Sequence, residues 1–146
     1  MHVRAKVGDI MTRNPFCSTP DASVESVARM MMESNCGEVP ICENGKVVGV
    51  VTDRDITCRV VARGVDPTDT PASAIMSAKP FMIRPDDPLT LAIDTMERER
   101  LRRLPVVDGD GFLVGIISQV DIAARVSQKK AGRMLASLQI TNAPRF

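Results

Sequence analysis

The residues best suited to chemistry are a hydroxyl and a carboxylate three positions apart, which occur twice, each time after a short apolar run. The first pair is Thr52 and Asp55, and the second is Ser118 and Asp121. A carboxylate can accept hydrogen bonds from both hydroxyls of a ribose, and the hydroxyl with helix N-terminal N–H groups suits phosphate oxygens. The structural alternative is a capping box at each helix start. Because a capping box prefers the longer Glu or Gln, two Asp motifs in register favour ligand binding.

The motif recurs because the chain is a duplication. Ile10-Met11-Thr12 returns as Ile75-Met76-Ser77, and Val39-Pro40-Ile41 returns as Leu104-Pro105-Val106. After one inserted residue in the 108–111 turn, the second copy resumes the same order. So many ordered matches indicate two copies of one unit.

Each copy predicts the order β-α-β-β-α. In the first copy, the helix has apolar residues at helical spacing: Val24, Val27, Ala28 and Met31. Two strands, 39–43 and 46–52, are joined by Asn44-Gly45, which favours a type I′ turn. A second helix is expected from about Asp53 to Gly64. In the second copy, Asp87 is the expected N-cap and Pro88 the first helical residue.

The predicted fold class is α+β, with tandem repeats about a pseudo-twofold axis, sheets packed together and helices outside. The first repeat is expected at 7–64, a linker at 65–72 and the second repeat at 73–126. The tail, 127–146, is expected to be partly helical, with Lys129, Lys130 and Arg133 beside Met134, Leu135 and Leu138.

Composition excludes several classes of function. Lys and Arg number 19 against 18 Asp and Glu, so no global charge attracts nucleic acid or a membrane surface. Four Phe without Tyr or Trp also argue against single-stranded nucleic-acid binding. No apolar stretch is long enough to span a bilayer, and the N-terminus has no signal-peptide pattern, so a cytoplasmic location is expected.

Catalytic and metal sites are not expected either. The chain has one His, His2, no Cys-x-x-Cys pair and no Walker-type motif. The four Cys are expected to be reduced thiols. Cys17 and Cys42 fall on strands predicted to be neighbours, and only geometry decides whether they can form a disulfide.

Together these motifs resemble the CBS-domain family over nearly the whole chain, as a stand-alone pair of domains known as a Bateman module. The marks are the repeated Ile-Met-[Thr/Ser], the Val39-Pro40 and Leu104-Pro105 steps, and the two Gly-x-x-[Thr/Ser]-x-x-Asp segments. The resemblance implies an adenine nucleotide ligand, AMP, ADP or ATP, with S-adenosylmethionine or NAD as further candidates. It also implies a homodimer.

The resemblance further implies that each cleft combines the Asp motif of one repeat with residues of the other. The main site would then comprise Thr52, Arg54, Asp55, Ser77, Arg102, Arg103, Leu104 and Pro105. The weaker site would comprise Thr12, Glu38, Val39, Pro40, Ser118 and Asp121. Arginines suit phosphate in the main site, whereas the Glu38 carboxylate would repel it in the other.

Two functions are therefore open. The first is a non-enzymatic sensor that binds an adenosyl ligand between its repeats and transmits binding as a change in repeat or dimer arrangement. The alternative is a ligand-independent dimerisation or interaction scaffold with vestigial clefts. An unidentified protein partner fits both, and the sequence does not name it.

Overall fold

The computed structural model describes residues 5–125 and 133–136. Each copy has the predicted α-β-β-α order, whereas its first strand lies in the Ile-Met segment. The helices are α1 (Val7–Ile10), α2 (Val24–Ser34), α3 (Asp53–Ile56), α4 (Leu89–Glu99) and α5 (Gln119–Ala123). The strands are β1 (Thr12–Arg13), β2 (Glu38–Glu43), β3 (Lys46–Thr52), β4 (Ser77–Ala78), β5 (Arg103–Val107) and β6 (Leu113–Ser118). A π-helical turn covers Thr57–Val61, and a 3₁₀ turn covers Ala72–Ala74. In the described residues, no helix is long and apolar enough to cross a membrane.

The chain divides into two compact units that do not follow the sequence repeats. The Asp55 unit contains Phe16–Pro80 and Asp110–Leu113. The Asp121 unit contains the described residues up to Pro15, Phe81–Gly109 and the described residues from Val114 onward. The Asp55 unit therefore takes Ile75-Met76 from the second repeat, and the Asp121 unit takes Ile10-Met11 from the first repeat.

The Asp55 unit has a three-stranded sheet in the order β2-β3-β4. Antiparallel β2 and β3 are joined by Asn44 and Gly45, whose φ angles of 53° and 82° are both positive, as the predicted type I′ turn requires. Strand β4 pairs with β3. Helix α2 is capped by the Ser23 hydroxyl and buries Val24, Val27 and Met31. These residues share one core with apolar residues of β2 and β3.

The Asp121 unit repeats this plan with the order β1-β6-β5. Its core comprises buried apolar residues of α1, α4, β5, β6 and α5. Met134 is fully buried in the same core, and 133–136 are helical. Of the residues named for the predicted amphipathic tail, Lys129, Lys130 and Leu138 lie outside the described residues.

Two predicted helix boundaries are wrong. Helix α4 begins at Leu89, and Pro88, in extended conformation, takes the N-cap position expected for Asp87. The Asp87 carboxylate instead accepts a hydrogen bond from the Arg84 backbone N–H at 2.8 Å, which closes the preceding turn. The helix that follows β3 ends its π-helical turn at Val61, before Gly64. Gly64 does have the expected left-handed conformation, with φ of 67°.

Candidate ligand-binding site

The first hydroxyl–carboxylate pair lies where β3 meets α3. Thr52 has extended backbone angles, φ −107° and ψ 162°, and is the N-cap of the helix. Its hydroxyl accepts from the Asp55 N–H at 3.1 Å, and Asp55 Oδ2 accepts from the Thr52 N–H at 2.9 Å. This is a complete capping box, so the inference that Asp at this position argues against a capping box is wrong.

The second pair has the same geometry between β6 and α5. The Ser118 hydroxyl accepts from the Asp121 N–H at 3.1 Å, and Asp121 Oδ2 accepts from the Ser118 N–H at 3.1 Å. Ser118 is buried, and Asp121 is half-buried. Both carboxylates are therefore held in one orientation by the backbone, with their second oxygen outside the box.

A third residue, which was not predicted from the sequence, lies beside that second oxygen of Asp55. Arg59 Nε lies 3.9 Å from Asp55 Oδ1, and the Asp55 side chain is only 13% exposed. Arg59 is itself held by the hydrogen bond that its Nη1 donates to the Ile75 carbonyl at 3.0 Å. The i, i+4 spacing of Asp55 and Arg59 on one helical segment was the signal that could have identified it. Arg125 stands at the same spacing from Asp121.

The predicted hydroxyl residues of the Ile-Met segments lie beside these motifs. Ser77 pairs with Val50, two residues before Thr52, so Ser77 and Thr52 lie on the same face of the β3–β4 pair. Thr12 pairs with Ile116, two residues before Ser118, in the same arrangement. Within each unit, the structure thus brings the Asp motif of one repeat together with the Ile-Met segment of the other.

The Pro-step residues lie beside the Asp motif of their own repeat. In the Asp55 unit, Glu38 pairs with Thr52, and buried Val39 and Pro40 pair with the two preceding residues of β3. The Gly37 carbonyl accepts from the Asp53 N–H at 2.9 Å, so this segment adjoins the start of α3.

In the Asp121 unit, the Arg102 carbonyl accepts from the Gln119 N–H at 2.9 Å, at the start of α5. Leu104 and Pro105 are buried, Arg103 is half-buried, and Arg102 is exposed. Arg54, in the Asp55 unit, is exposed as well. Each of the two predicted sets thus draws residues from both units, and both sets stay predictions.

Comparisons with known proteins agree with the duplication in the sequence. The model of the CBS domain matches residues 7–61 and 72–128. CBS domain-containing protein YhcV of Bacillus subtilis is 34% identical over 139 residues, which cover 94% of this chain and 98% of YhcV. Longer proteins also match, and the chain spans only about a quarter of the length of three of them.

Two similar solved structures contain adenosyl compounds. CBSX2 in complex with AMP has a TM-score of 0.75 at 26% identity, covering 86% of this chain and 98% of CBSX2. The CBS domain pair of MJ0100, in complex with 5′-methylthioadenosine and S-adenosyl-L-methionine, has a TM-score of 0.73 at 26% identity, covering 82% and 94% of the two chains. With two matches of the family model along its length, and the α+β fold those structures share, the chain belongs to the CBS-domain family and is a CBS-domain pair.

Proposed function

We propose that this chain is a non-enzymatic regulatory module that binds an adenosyl ligand and that Asp55 holds the ribose of that ligand. The observation that carries the proposal is the half-buried Asp55 carboxylate, which accepts a hydrogen bond from the Thr52 N–H on one oxygen and has Arg59 3.9 Å from the other. A carboxylate in this state is already oriented, so little side-chain entropy is lost when a ligand binds.

The hydrogen-bonding capacity of this group suits a ribose. Each carboxylate oxygen can accept more than one hydrogen bond, so Oδ1 and Oδ2 can each take a ribose hydroxyl while the capping box persists. The Thr52 hydroxyl accepts from the Asp55 N–H and still has its own proton to donate. Ser77, on the same face, supplies a second hydroxyl. A phosphate oxygen or a ring nitrogen can accept from either of them.

The adenosyl class of ligand rests on relatives. The CBSX2 structure contains AMP, and the MJ0100 structure contains 5′-methylthioadenosine and S-adenosylmethionine. The ribose and adenine are common to all three compounds, whereas phosphate is not. We therefore propose ribose recognition by Asp55 for any adenosyl ligand, and phosphate recognition by Arg54, Arg102 and Arg103 for AMP, ADP or ATP.

A second candidate, the ligand-independent scaffold, is favoured by one observation. Both Asp residues complete capping boxes, so the fold itself gives a reason for their presence at these positions. The two candidates differ in a simple way. The scaffold requires the carboxylates for stability alone, whereas the sensor requires the Asp55 charge for binding.

Isothermal titration calorimetry with AMP, ADP, ATP, S-adenosylmethionine and NAD tests the proposal, using Asp55→Asn with Asp121→Asn as the matched control. Asn keeps an oxygen that can accept from the backbone N–H of the N-cap residue, so both variants should remain folded. Hydrogen bonds to charged groups contribute about 1.5–3 kcal/mol each. We therefore expect Asp55→Asn to weaken binding at least about tenfold, since 1.4 kcal/mol corresponds to a factor of ten.

Thermal unfolding of both variants controls for loss of structure. If Asp55→Asn binds as tightly as wild type, Asp55 does not hold the ribose. If no adenosyl compound binds the wild-type chain, the scaffold is the better account.

A further inference from the structure

Two cysteines of the Asp55 unit lie diagonally across two neighbouring segments. Ser18 forms a parallel bridge with Ile41, and two backbone hydrogen bonds fix it: Ser18 N–H to the Pro40 carbonyl at 2.9 Å, and Cys42 N–H to the Ser18 carbonyl at 2.8 Å. Cys17 directly precedes Ser18, and Cys42 directly follows Ile41. Because successive side chains of an extended segment point to opposite faces, both cysteine side chains lie on the face opposite to Ser18 and Ile41. A bulge between Ile41 and Cys42 shifts the register at this point.

The two thiols are near enough to interact, and they differ in exposure. Cys17 is exposed, whereas Cys42 is only 4% exposed. Burial, followed by the charge of the nearby Cys17 and a hydrogen bond with it, raises the pKa of Cys42 to about 12. Cys17 is therefore the thiol that an oxidant in solution can reach, and Cys42 is a buried, protonated partner near it.

The second repeat shows the same backbone arrangement without thiols. Ile83 forms the corresponding parallel bridge with Val106. The positions that match Cys17 and Cys42 are occupied by Met82 and Val107, which are exposed and buried respectively. The fold thus does not need sulfhydryl groups at these positions, and the repeat offers a natural model for their replacement.

We propose that Cys17 and Cys42 are a redox-active pair that forms a reversible disulfide by exchange with a low-molecular-weight disulfide such as oxidised glutathione. The Cys17 thiolate attacks one glutathione sulfur, which forms a mixed disulfide and releases one glutathione thiolate. Cys42 then gives its proton to solvent, and its sulfur attacks the Cys17 sulfur. The bond between Cys17 and glutathione breaks, and the second glutathione leaves. The protein loses two hydrogens, and the oxidised glutathione becomes two reduced molecules.

The disulfide would join the segment before α2 to β2 within the Asp55 unit. Residues Val39 and Pro40 of β2 belong to the predicted second site, and both lie within three positions of Cys42. Oxidation would therefore fix the backbone of this segment. The inference does not depend on the proposed ligand, so its failure leaves the adenosyl proposal intact.

The test is mass spectrometry of the full chain after incubation with oxidised glutathione. Cleavage with trypsin and then after Glu38 separates Cys36 from Cys42, so a cross-linked peptide identifies its partners unambiguously. We expect wild type to lose two hydrogens and two of its four free thiols, with the cross-link between Cys17 and Cys42. Cys58→Ser, which removes another exposed cysteine, should behave in the same way.

Two variants make the outcome decisive. Cys17→Ser should form no cross-link. Cys42→Val, which copies Val107 of the second repeat, should stop at the mixed disulfide of Cys17 with glutathione. In wild type, the step from mixed to protein disulfide should accelerate as pH rises from 7 to 9. Burial, the largest cause of the raised Cys42 pKa, persists in the mixed disulfide, and only the thiolate attacks. A mixed disulfide equally persistent in wild type and Cys42→Val, or a cross-link to Cys36 or Cys58, would overturn the proposal.

Discussion

Substitution of Gly49 by Ala should destabilise the Asp55 unit, because a methionine from the other repeat occupies the space above this glycine. A Cβ atom on Gly49 would lie 2.5 Å from Met76 Sδ, 2.9 Å from Met76 Cγ and 3.1 Å from the Ser77 carbonyl oxygen. Favourable contacts between carbon atoms are about 3.5–4.0 Å. The methionine would therefore have to move by about 1 Å, while Ser77 is held by the pairing of β3 with β4.

The size of the effect follows from the general cost of overpacking. Forcing an extra methyl group into a packed region costs about 1–3 kcal/mol. At roughly 3–4 °C per kcal/mol for a chain of this length, a loss of about 2 kcal/mol lowers Tm by about 6–8 °C. Gly115→Ala should cost at least as much, since its Cβ would lie 2.5 Å from Sδ of Met11, which is 8% exposed and has less room to move.

Thermal and urea unfolding followed by circular dichroism measures the effect. Gly109→Ala is the matched control, because its nearest atom, Arg84 Nη1, would be 3.8 Å away, an ordinary contact. It should leave Tm unchanged or slightly raised. The double variant Gly49→Ala, Met76→Ala should be more stable than the sum of the single effects predicts, by about 1 kcal/mol. A wild-type Tm for Gly49→Ala, or strictly additive effects in the double variant, would refute the packing argument.

Further predictions concern the caps, Arg59 and Cys42. Thr52→Ala and Ser118→Ala each remove an N-cap hydroxyl and should cost about 0.5–2 kcal/mol in urea unfolding, and unchanged midpoints would contradict the capping role. Arg59→Ala should lower stability by less than about 1 kcal/mol, because the Arg59 side chain is 45% exposed. The same variant should weaken adenosyl binding several-fold in calorimetry, because it releases the Asp55 carboxylate beside it. Arg63 is another exposed cation. If Arg63→Ala weakens binding as much, the positioning role of Arg59 is wrong. The pKa of Cys42 is raised from 9.0 to about 12 by folding, so its contribution to stability is complete below pH 9 and is lost as pH rises toward 12. At pH 10.5 the loss of stability amounts to about 2 kcal/mol. Cys42→Val should remove that part of the pH dependence under reducing conditions. An identical pH dependence in the variant and wild type would contradict this assignment.

Much of the local structure could be predicted from residue patterns. The apolar spacing around Val24 and Val27 predicted α2, and Asn44-Gly45 predicted the hairpin turn, because both signals depend only on nearby residues. The parallel bridge at Ser18 places Cys17 and Cys42 on neighbouring segments, as predicted, although Cys17 does not lie on a strand. These features need no knowledge of the tertiary fold.

The division into units could not be predicted from local patterns. Thr12 has two similar β-strand edges available, at Val50 and at Ile116, because the repeats are alike. In the structure Thr12 pairs with Ile116, and Met11 lies over Gly115, just as Met76 lies over Gly49, so this contact does not distinguish the two edges. Family resemblance, which implied that each Asp motif meets residues of the other repeat, was the only guide to it.

Two features of the site depended on geometry that spacing does not specify. The reach of a capping Asp is set by the backbone angles of its N-cap residue, and the extended Thr52 brings its N–H to 2.9 Å from Asp55 Oδ2. The position of Arg59 depends on its hydrogen bond to Ile75, sixteen residues away. The i, i+4 spacing alone would have named Arg59 as a candidate without showing that it is fixed.

The most direct test of the central claim is calorimetric titration of wild type, Asp55→Asn and Asp121→Asn with AMP and S-adenosylmethionine. The account predicts saturable binding of at least one compound by wild type, affinity reduced at least about tenfold in Asp55→Asn, and wild-type affinity of the main site in Asp121→Asn. Equal affinity in wild type and Asp55→Asn, with both proteins folded, would contradict the claim that the Asp55 carboxylate recognises the ligand.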